Sequence, residues 1–118
     1  MLGLKQDSID QYNRFIEIVK KERLVWGLMS DSGWATAPSN EYEDTIIIPF
    51  WSHKAYAQRV ATKEWATYKP TSIGFDEFVD SWLKGMNENG NIVGVNWNAH
   101  LIGKEIEPKD LAKDLLAK

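Results

Sequence analysis

The chain has 118 residues, 43% of them hydrophobic and 26% charged, the make-up of one ordinary globular domain. It has no cysteine, which excludes a disulfide scaffold, a thiol nucleophile and every Cys-ligated metal site, and two histidines give no basis for a multi-histidine centre. Fourteen basic against 17 acidic residues, a net charge of −3, argue against a general nucleic-acid binder.

The opening Met1-Leu2-Gly3-Leu4-Lys5-Gln6 turns polar too soon for a secretory leader, and no apolar run approaches a membrane span. The expectation is a cytoplasmic protein that does not enter a membrane. Ser8 and Gln11 have the spacing of a capping box, and Ile9, Tyr12, Phe15, Ile16 and Val19 follow at helical spacing. This predicts a helix over about 8 to 22, closed by Lys20, Lys21 and Arg23 at its negative end. Leu24 to Met29 reads as a strand, Asp31-Ser32-Gly33 as a turn, and Trp34 to Ala37 as its antiparallel return. In that pairing Trp26 and Trp34 become cross-strand neighbours. Glu41 to Asp44 form an acidic loop. Thr45 to Ile48 is β-branched without alternation, the pattern of a strand covered on both faces.

The second half alternates. A helix is predicted over about 52 to 65 with Ser52 as N-cap and Tyr56, Val60, Ala61 and Trp65 inward, and Trp65 and Tyr68 are read as a partly exposed pair. Pro70 to Ile73 is a short strand. Phe75, Phe78, Val79, Trp82 and Leu83 form the strongest helical stripe, with Gly85 able to end it and Asn89-Gly90 as turn chemistry. Ile92 to Val95 is a central strand, and one more short strand is expected near Leu101 to Ile106. Pro108 opens a last helix with Leu111, Ala112, Leu115 and Leu116 inward. The fold expected is a single α+β domain over 1–118, α/β-like in its second half. Its mixed sheet has about five strands and four helices in the order αβββαβαβα. The strands ending near 48, 73 and 95 are expected to be parallel. The core is expected to hold Phe15, Ile16, Val19, Ile47, Val60, Phe78, Val79, Trp82, Val93, Val95 and Leu111.

Several runs carry a resemblance. Val25-Trp26-Gly27-Leu28, Gly33-Trp34-Ala35, Pro49-Phe50-Trp51-Ser52, Tyr68-Lys69-Pro70, Trp82-Leu83-Lys84-Gly85-Met86, Val93-Gly94-Val95-Asn96-Trp97-Asn98 and Glu107-Pro108-Lys109-Asp110-Leu111-Ala112 resemble a small bacterial family of uncharacterised proteins, domain of unknown function 2750. That resemblance implies no activity. More distantly, the order strand-Ser-helix, strand, helix, strand-Asn, helix looks like the N-terminal domain of the enhanced-serine-sensitivity protein family. Asn96-Trp97 stands where that family has an Asn-Pro.

Topology supplies the candidate site. Parallel strands would bring Trp51, Ser52 and His53 together with Asn96, Trp97 and Asn98, and Ser72 to Gly74 with them, at the carboxyl edge where open α/β sheets bind ligands. Backbone N–H groups of Ser52 to Lys54 at a helix start would suit an anion. In the structural alternative Ser52 only caps a helix, the asparagines hold a turn and both tryptophans are core. A Ser–His nucleophile pair would need a histidine other than the adjacent His53, such as His100, and no third group to orient it is evident. No metal or cofactor is expected, since there is neither ligand spacing nor a phosphate loop. Six tryptophans exceed what a small core needs, so one or two are expected at a partner or ligand. The leading reading is a small non-catalytic binding or interaction module, with an unidentified protein partner, a second copy of itself in a homo-oligomer, or a small anionic ligand. The alternatives are a hydrolase or transferase acting on a small anionic metabolite, and an immunity-type or regulatory protein.

Overall fold

The computed structural model describes residues 2–118, with side chains from Ser8 onward. The first helix, α1, is Leu2–Glu22. It starts earlier than the capping-box spacing predicts, so Ser8 and Gln11 lie inside it and cap nothing. Tyr12, Phe15 and Val19 are buried, Ile16 is half-buried, and Ile9 is exposed. Arg23 takes a left-handed turn (φ 62°) out of the helix. Its guanidinium lies 3.7 Å from the Phe75 ring centroid and 3.1 Å from the Asp76 carboxylate.

Seven strands follow, against the five expected: β1 Leu24–Ser30, β2 Gly33–Trp34, β3 Ala37–Pro38, β4 Ile46–Phe50, β5 Lys69–Gly74, β6 Ile92–Val95 and β7 Lys104–Ile106. They make two sheets, β2-β1-β5 and β3-β4-β6-β7. The sheets are stitched where Trp26 and Trp51 exchange backbone hydrogen bonds of 2.9 and 2.7 Å. β4 and β6 are parallel, in register Ile47↔Ile92 to Phe50↔Val95. β5 departs from the expectation. It pairs antiparallel with β1 (Leu24↔Gly74 to Met29↔Lys69) and touches neither β4 nor β6 in the ladder, so the parallel unit has two strands rather than three.

The hairpin is also shorter than expected. Only Met29↔Trp34 and Ser30↔Gly33 pair, with one more bond from the Ala35 N–H to the Leu28 carbonyl. The chain then leaves β1, and Ala37 and Pro38 pair with β4 instead. Trp26 therefore faces Trp51, not Trp34. Proline explains the break. Successive residues of a strand bond to opposite sides, and Trp51 bonds toward β1, so Pro49 turns its missing N–H toward the same side. No β1–β4 bond can form there, and the two strands splay around residues 33–38. Pro70 is tolerated by the same parity. Trp26 and Leu28 bond away from β5, so Val25, Gly27 and Met29 bond toward it. Their partners Ile73, Thr71 and Lys69 use the inner edge of β5, which leaves Pro70 on the outer one.

Helix α2 is Lys54–Val60, followed by a single 3-10 turn at Lys63–Trp65. It is shorter than expected, and its N-cap is His53, not Ser52. The third helix, α3, runs over 75–89 and holds a stretch of wide, π-type turns at Phe78–Leu83. The i→i+5 bonding of such turns aligns Leu83 with Phe78 and rotates Trp82 toward the surface. Phe75, Phe78, Val79 and Leu83 are buried, while Trp82 is only half-buried. The helix passes through Gly85 and ends at Gly90, whose φ of 74° suits glycine. Helix α4, Pro108–Leu116, has Pro108 in its first turn and buries Leu111 and Leu115, but Leu116 is 62% exposed.

Alternation along the strands builds two cores. Val25, Phe50, Val93 and Val95 point to α1, α3 and α4, together with Phe15, Phe78 and Leu111. Leu28, Ile47, Trp51 and Ile92 point the other way, with Val60, Trp65 and Trp97. Of the expected core, Ile16 and Trp82 alone are not fully buried, and both pack on the first cluster. Trp65, expected to be partly exposed, is buried. No helix among the described residues is long and apolar enough to cross a membrane.

Candidate functional site

The parallel pair β4–β6 ends in the segments 51–53 and 96–98, and the structure brings them together. The Asn96 N–H continues the ladder to the Phe50 carbonyl at 2.9 Å. The Ser52 N–H donates to Asn96 Oδ1 at 2.9 Å, and Asn96 Nδ2 donates to Ser52 Oγ at 3.1 Å and to the Gln11 carbonyl at 3.3 Å. Trp51 Nε1 donates to the Trp97 carbonyl at 2.9 Å. Asn96 has φ 47°, a left-handed conformation that asparagine tolerates better than most residues, and its side chain thereby ties α1, β4 and β6 at one point.

This network is framework. Trp51 is fully buried, and Ser52, Asn96 and Trp97 are 3%, 6% and 4% exposed. Among the described residues no buried side-chain polar atom lacks a hydrogen bond. Of the N–H groups expected to suit an anion at the start of α2, that of Ser52 is spent on Asn96, and the helix begins only at Lys54. Trp97 sits in a slot between two glycines. A methyl group at Gly94 would meet its ring at 2.6 Å, and one at Gly103 at 2.4 Å.

His53 does meet Ser52, although they are adjacent in sequence: Ser52 Oγ lies 2.9 Å from His53 Nδ1. Asn96 Nδ2 also donates to that hydroxyl, and which of Ser52 Oγ and His53 Nδ1 donates to the other depends on the ring's tautomer. Desolvation, and then the nearby Arg14 cation, hold the His53 pKa below the ordinary 6.5, outweighing the opposing effect of Glu22. The ring stacks on Tyr56 with centroids 4.3 Å apart. His100 is exposed in the following loop, and its backbone N–H donates to Asn98 Oδ1 at 2.8 Å. Asn98 Oδ1 also takes the Ile102 N–H at 3.2 Å, so Asn98 stabilises its turn.

Over this frame lies a cleft of about 520 Å³. Its walls are Ser8, Asp10 and Gln11 of α1, Tyr56, Arg59 and Val60 of α2, and the loop residues 96–99 and 102–103. Asn96, Trp97 and Asn98 line it; Trp51, Ser52 and His53 do not and stand behind it. Ser72 to Gly74 are not among its walls either, because β5 lies beyond β1. The Arg14 Nε donates to the Tyr56 hydroxyl at 3.1 Å, and the Arg59 guanidinium lies 5.5 Å from the Tyr56 ring centroid. Among the described residues the ion pair found is Arg23–Asp76, which leaves Arg59 without a carboxylate partner. Asp10, on the opposite wall, already has an interaction partner.

The sequence reading missed Gln11, Arg14, Tyr56 and Arg59. Their signal was weak but present: Gln11 with Arg14, and Tyr56 with Arg59, are i, i+3 pairs that share one helix face. Of the tryptophans, Trp97 lines the cleft. Trp51, Trp65 and Trp97 are buried, and Trp26, Trp34 and Trp82 are half-buried, the last in edge-on contact with Trp34 at 4.8 Å and Phe50 at 5.7 Å.

No curated protein and no solved structure matches the chain, so the comparisons do not carry the more distant likeness to the enhanced-serine-sensitivity proteins. One family model does match, over residues 12–115, from the middle of α1 to the last turn of α4. The chain belongs to that family, described as protein of unknown function (DUF2750).

Proposed function

We propose that the protein is a small cytoplasmic, non-catalytic binding module whose cleft takes a compact anionic ligand. The observation that carries this reading is Arg59, a guanidinium without a carboxylate partner among the described residues, on the wall of a cleft of about 520 Å³ at the carboxyl end of a parallel strand pair. Open α/β sheets bind ligands at that edge. Arg59 is backed by Arg14 through Tyr56, and the Asn98 amide, its oxygen consumed by the loop, has N–H groups to offer. A guanidinium fork suits carboxylate or phosphate oxygens. Catalysis is the less supported reading, because the Ser52 hydroxyl beside His53 is buried and already hydrogen-bonded on two sides. A tryptophan-mediated protein interface is likewise less supported, since three of the tryptophans are buried and the other three are half-buried.

The test is a thermal-shift and calorimetric survey of carboxylate and phosphate compounds at millimolar concentration. Binding at 100 times Kd stabilises the fold by about 2.7 kcal/mol. The expected result is a shift with at least one class that disappears in Arg59→Gln. A shift that survives Arg59→Gln, or none with any compound, overturns the reading.

A further inference from the structure

Beside the anionic cleft lies a second, smaller cavity of about 90 Å³. It is lined by the apolar Val60, Trp65, Ala99 and Leu101 together with Thr62, Lys63 and Glu64. Val60 and Ala99 also line the large cleft, so the two cavities adjoin across a shared apolar sill. Backbone strain gathers around them. Of the five non-glycine residues with positive φ among the described residues, Asn96 lines the cleft while Lys63 (φ 52°) and Leu101 (φ 60°) line the smaller cavity. A bulky residue at such a φ is held there by its surroundings. The tight turn does this, with the Leu101 N–H donating to the Asn98 carbonyl at 2.9 Å and the Asn98 N–H donating to the Ile102 carbonyl at 3.0 Å. The turn sets the Leu101 side chain, one of the exposed large apolar groups, against the cavity.

We infer that the ligand is two-part, an anionic head held at Arg59 and a short branched aliphatic tail seated between Val60, Trp65 and Leu101. This deepens the anion-binding reading and rests on it. The charge on one side fixes the head, and the adjoining apolar walls fix the tail. Size limits the tail: a dry cavity of about 150 Å³ takes benzene, and this one is smaller. An alkyl group of three or four carbons suits this volume better than an aromatic ring.

The experiment compares acetate, isobutyrate, isovalerate, phenylacetate and inorganic phosphate on the full chain by calorimetry and amide chemical-shift mapping. A fully buried methylene is worth roughly fourfold in affinity. Isovalerate is therefore expected to bind at least about tenfold more tightly than acetate, with shifts at Leu101 and Trp65, and phenylacetate is expected to gain much less. Leu101→Gly, which removes one wall and relaxes the positive φ, is expected to bring isovalerate down to the affinity of acetate and to leave acetate unchanged. If acetate or phosphate binds as tightly as isovalerate, the tail site falls while the anion site stands. If none of the five binds, the anion-site reading falls and the tail site with it.

Discussion

Asn96 does three jobs with one side chain: it accepts the Ser52 N–H, donates to the Ser52 hydroxyl and donates to the Gln11 carbonyl. It also holds a left-handed backbone. Asn96→Ala leaves a buried N–H unpaired, which costs about 1–3 kcal/mol, and keeps a Cβ at a φ where it costs about 1–2 kcal/mol. Asn96→Gly loses the same hydrogen bonds but sheds that Cβ, so urea unfolding should place glycine above alanine in stability. Equal losses would mean that the backbone is not strained. His53 gives a second outcome at this scale. Its folded pKa lies below the ordinary 6.5, so between those values the unfolded chain binds more protons. Its contribution to stability is complete above the ordinary value and is lost as pH falls through the folded pKa. In the protonated ring Nδ1 is a donor toward Ser52 Oγ. NMR titration is expected to place the His53 midpoint below 6.5, and Arg14→Gln is expected to raise it. A midpoint at or above 6.5 would refute the assignment. The juxtaposition of 51–53 with 96–98 was legible in the sequence, because each segment follows a strand. The use of Asn96 as a brace was not, since asparagine after a strand reads equally as a turn residue.

Helix α3 shows what periodicity can and cannot fix. The spacing of Phe75, Phe78, Val79 and Leu83 locates the helix and its inward face, and all four are buried. A wide turn leaves no mark in a hydrophobic stripe, so the outward roll of Trp82 could not be read from spacing. The two residues should now differ in cost. Phe78→Ala removes a fully buried ring and is expected to cost about 3–5 kcal/mol. Trp82→Ala is expected to cost clearly less, since part of that ring already faces water, and an equal loss by chemical denaturation would place Trp82 in the core after all. β6 offers the converse case, a residue whose importance lies in what it lacks. A methyl group at Gly94 would stand 2.6 Å from the Trp97 ring, and the framework around that ring is anchored at both ends. Gly94→Ala is expected to destabilise by about 1–3 kcal/mol through overpacking and to shift the tryptophan fluorescence. Gly85→Ala, where the added group meets nothing within 4 Å, is the matched control.

At the scale of the molecule, the sheet is two ladders joined at one pair of residues, Trp26 and Trp51. The α+β class, the parallel β4–β6 pair and the helices on both faces follow from the order and burial pattern of the elements. The place of β5 did not, because a strand between two helices suits a parallel crossover, and only the tertiary pairing reveals that β1 claims it instead. The split of the return strand was written in Pro49, but a proline reports a missing bond without saying which neighbour goes unpaired. This architecture predicts uneven stability. β6 is flanked by β4 and β7 and is buried at all four positions. β2 and β3 have two residues each, none of them buried, and fill the gap where the main strands splay. Local opening of residues 33–38 breaks few ladder bonds and uncovers Trp34 and Ala35, whereas opening 92–95 uncovers both cores. In native-state hydrogen exchange the amides of 92–95 are therefore expected to exchange only through global unfolding, with a denaturant dependence equal to that of the whole chain. The Ala35 amide, bonded to Leu28, and the amide of Ala37 in β3 are expected to exchange faster and with little dependence on denaturant. If they instead exchange with the same free energy and slope as Val93 and Val95, the splayed segment is no separate weak unit, and the single Trp26–Trp51 contact suffices to make the two ladders one cooperative sheet.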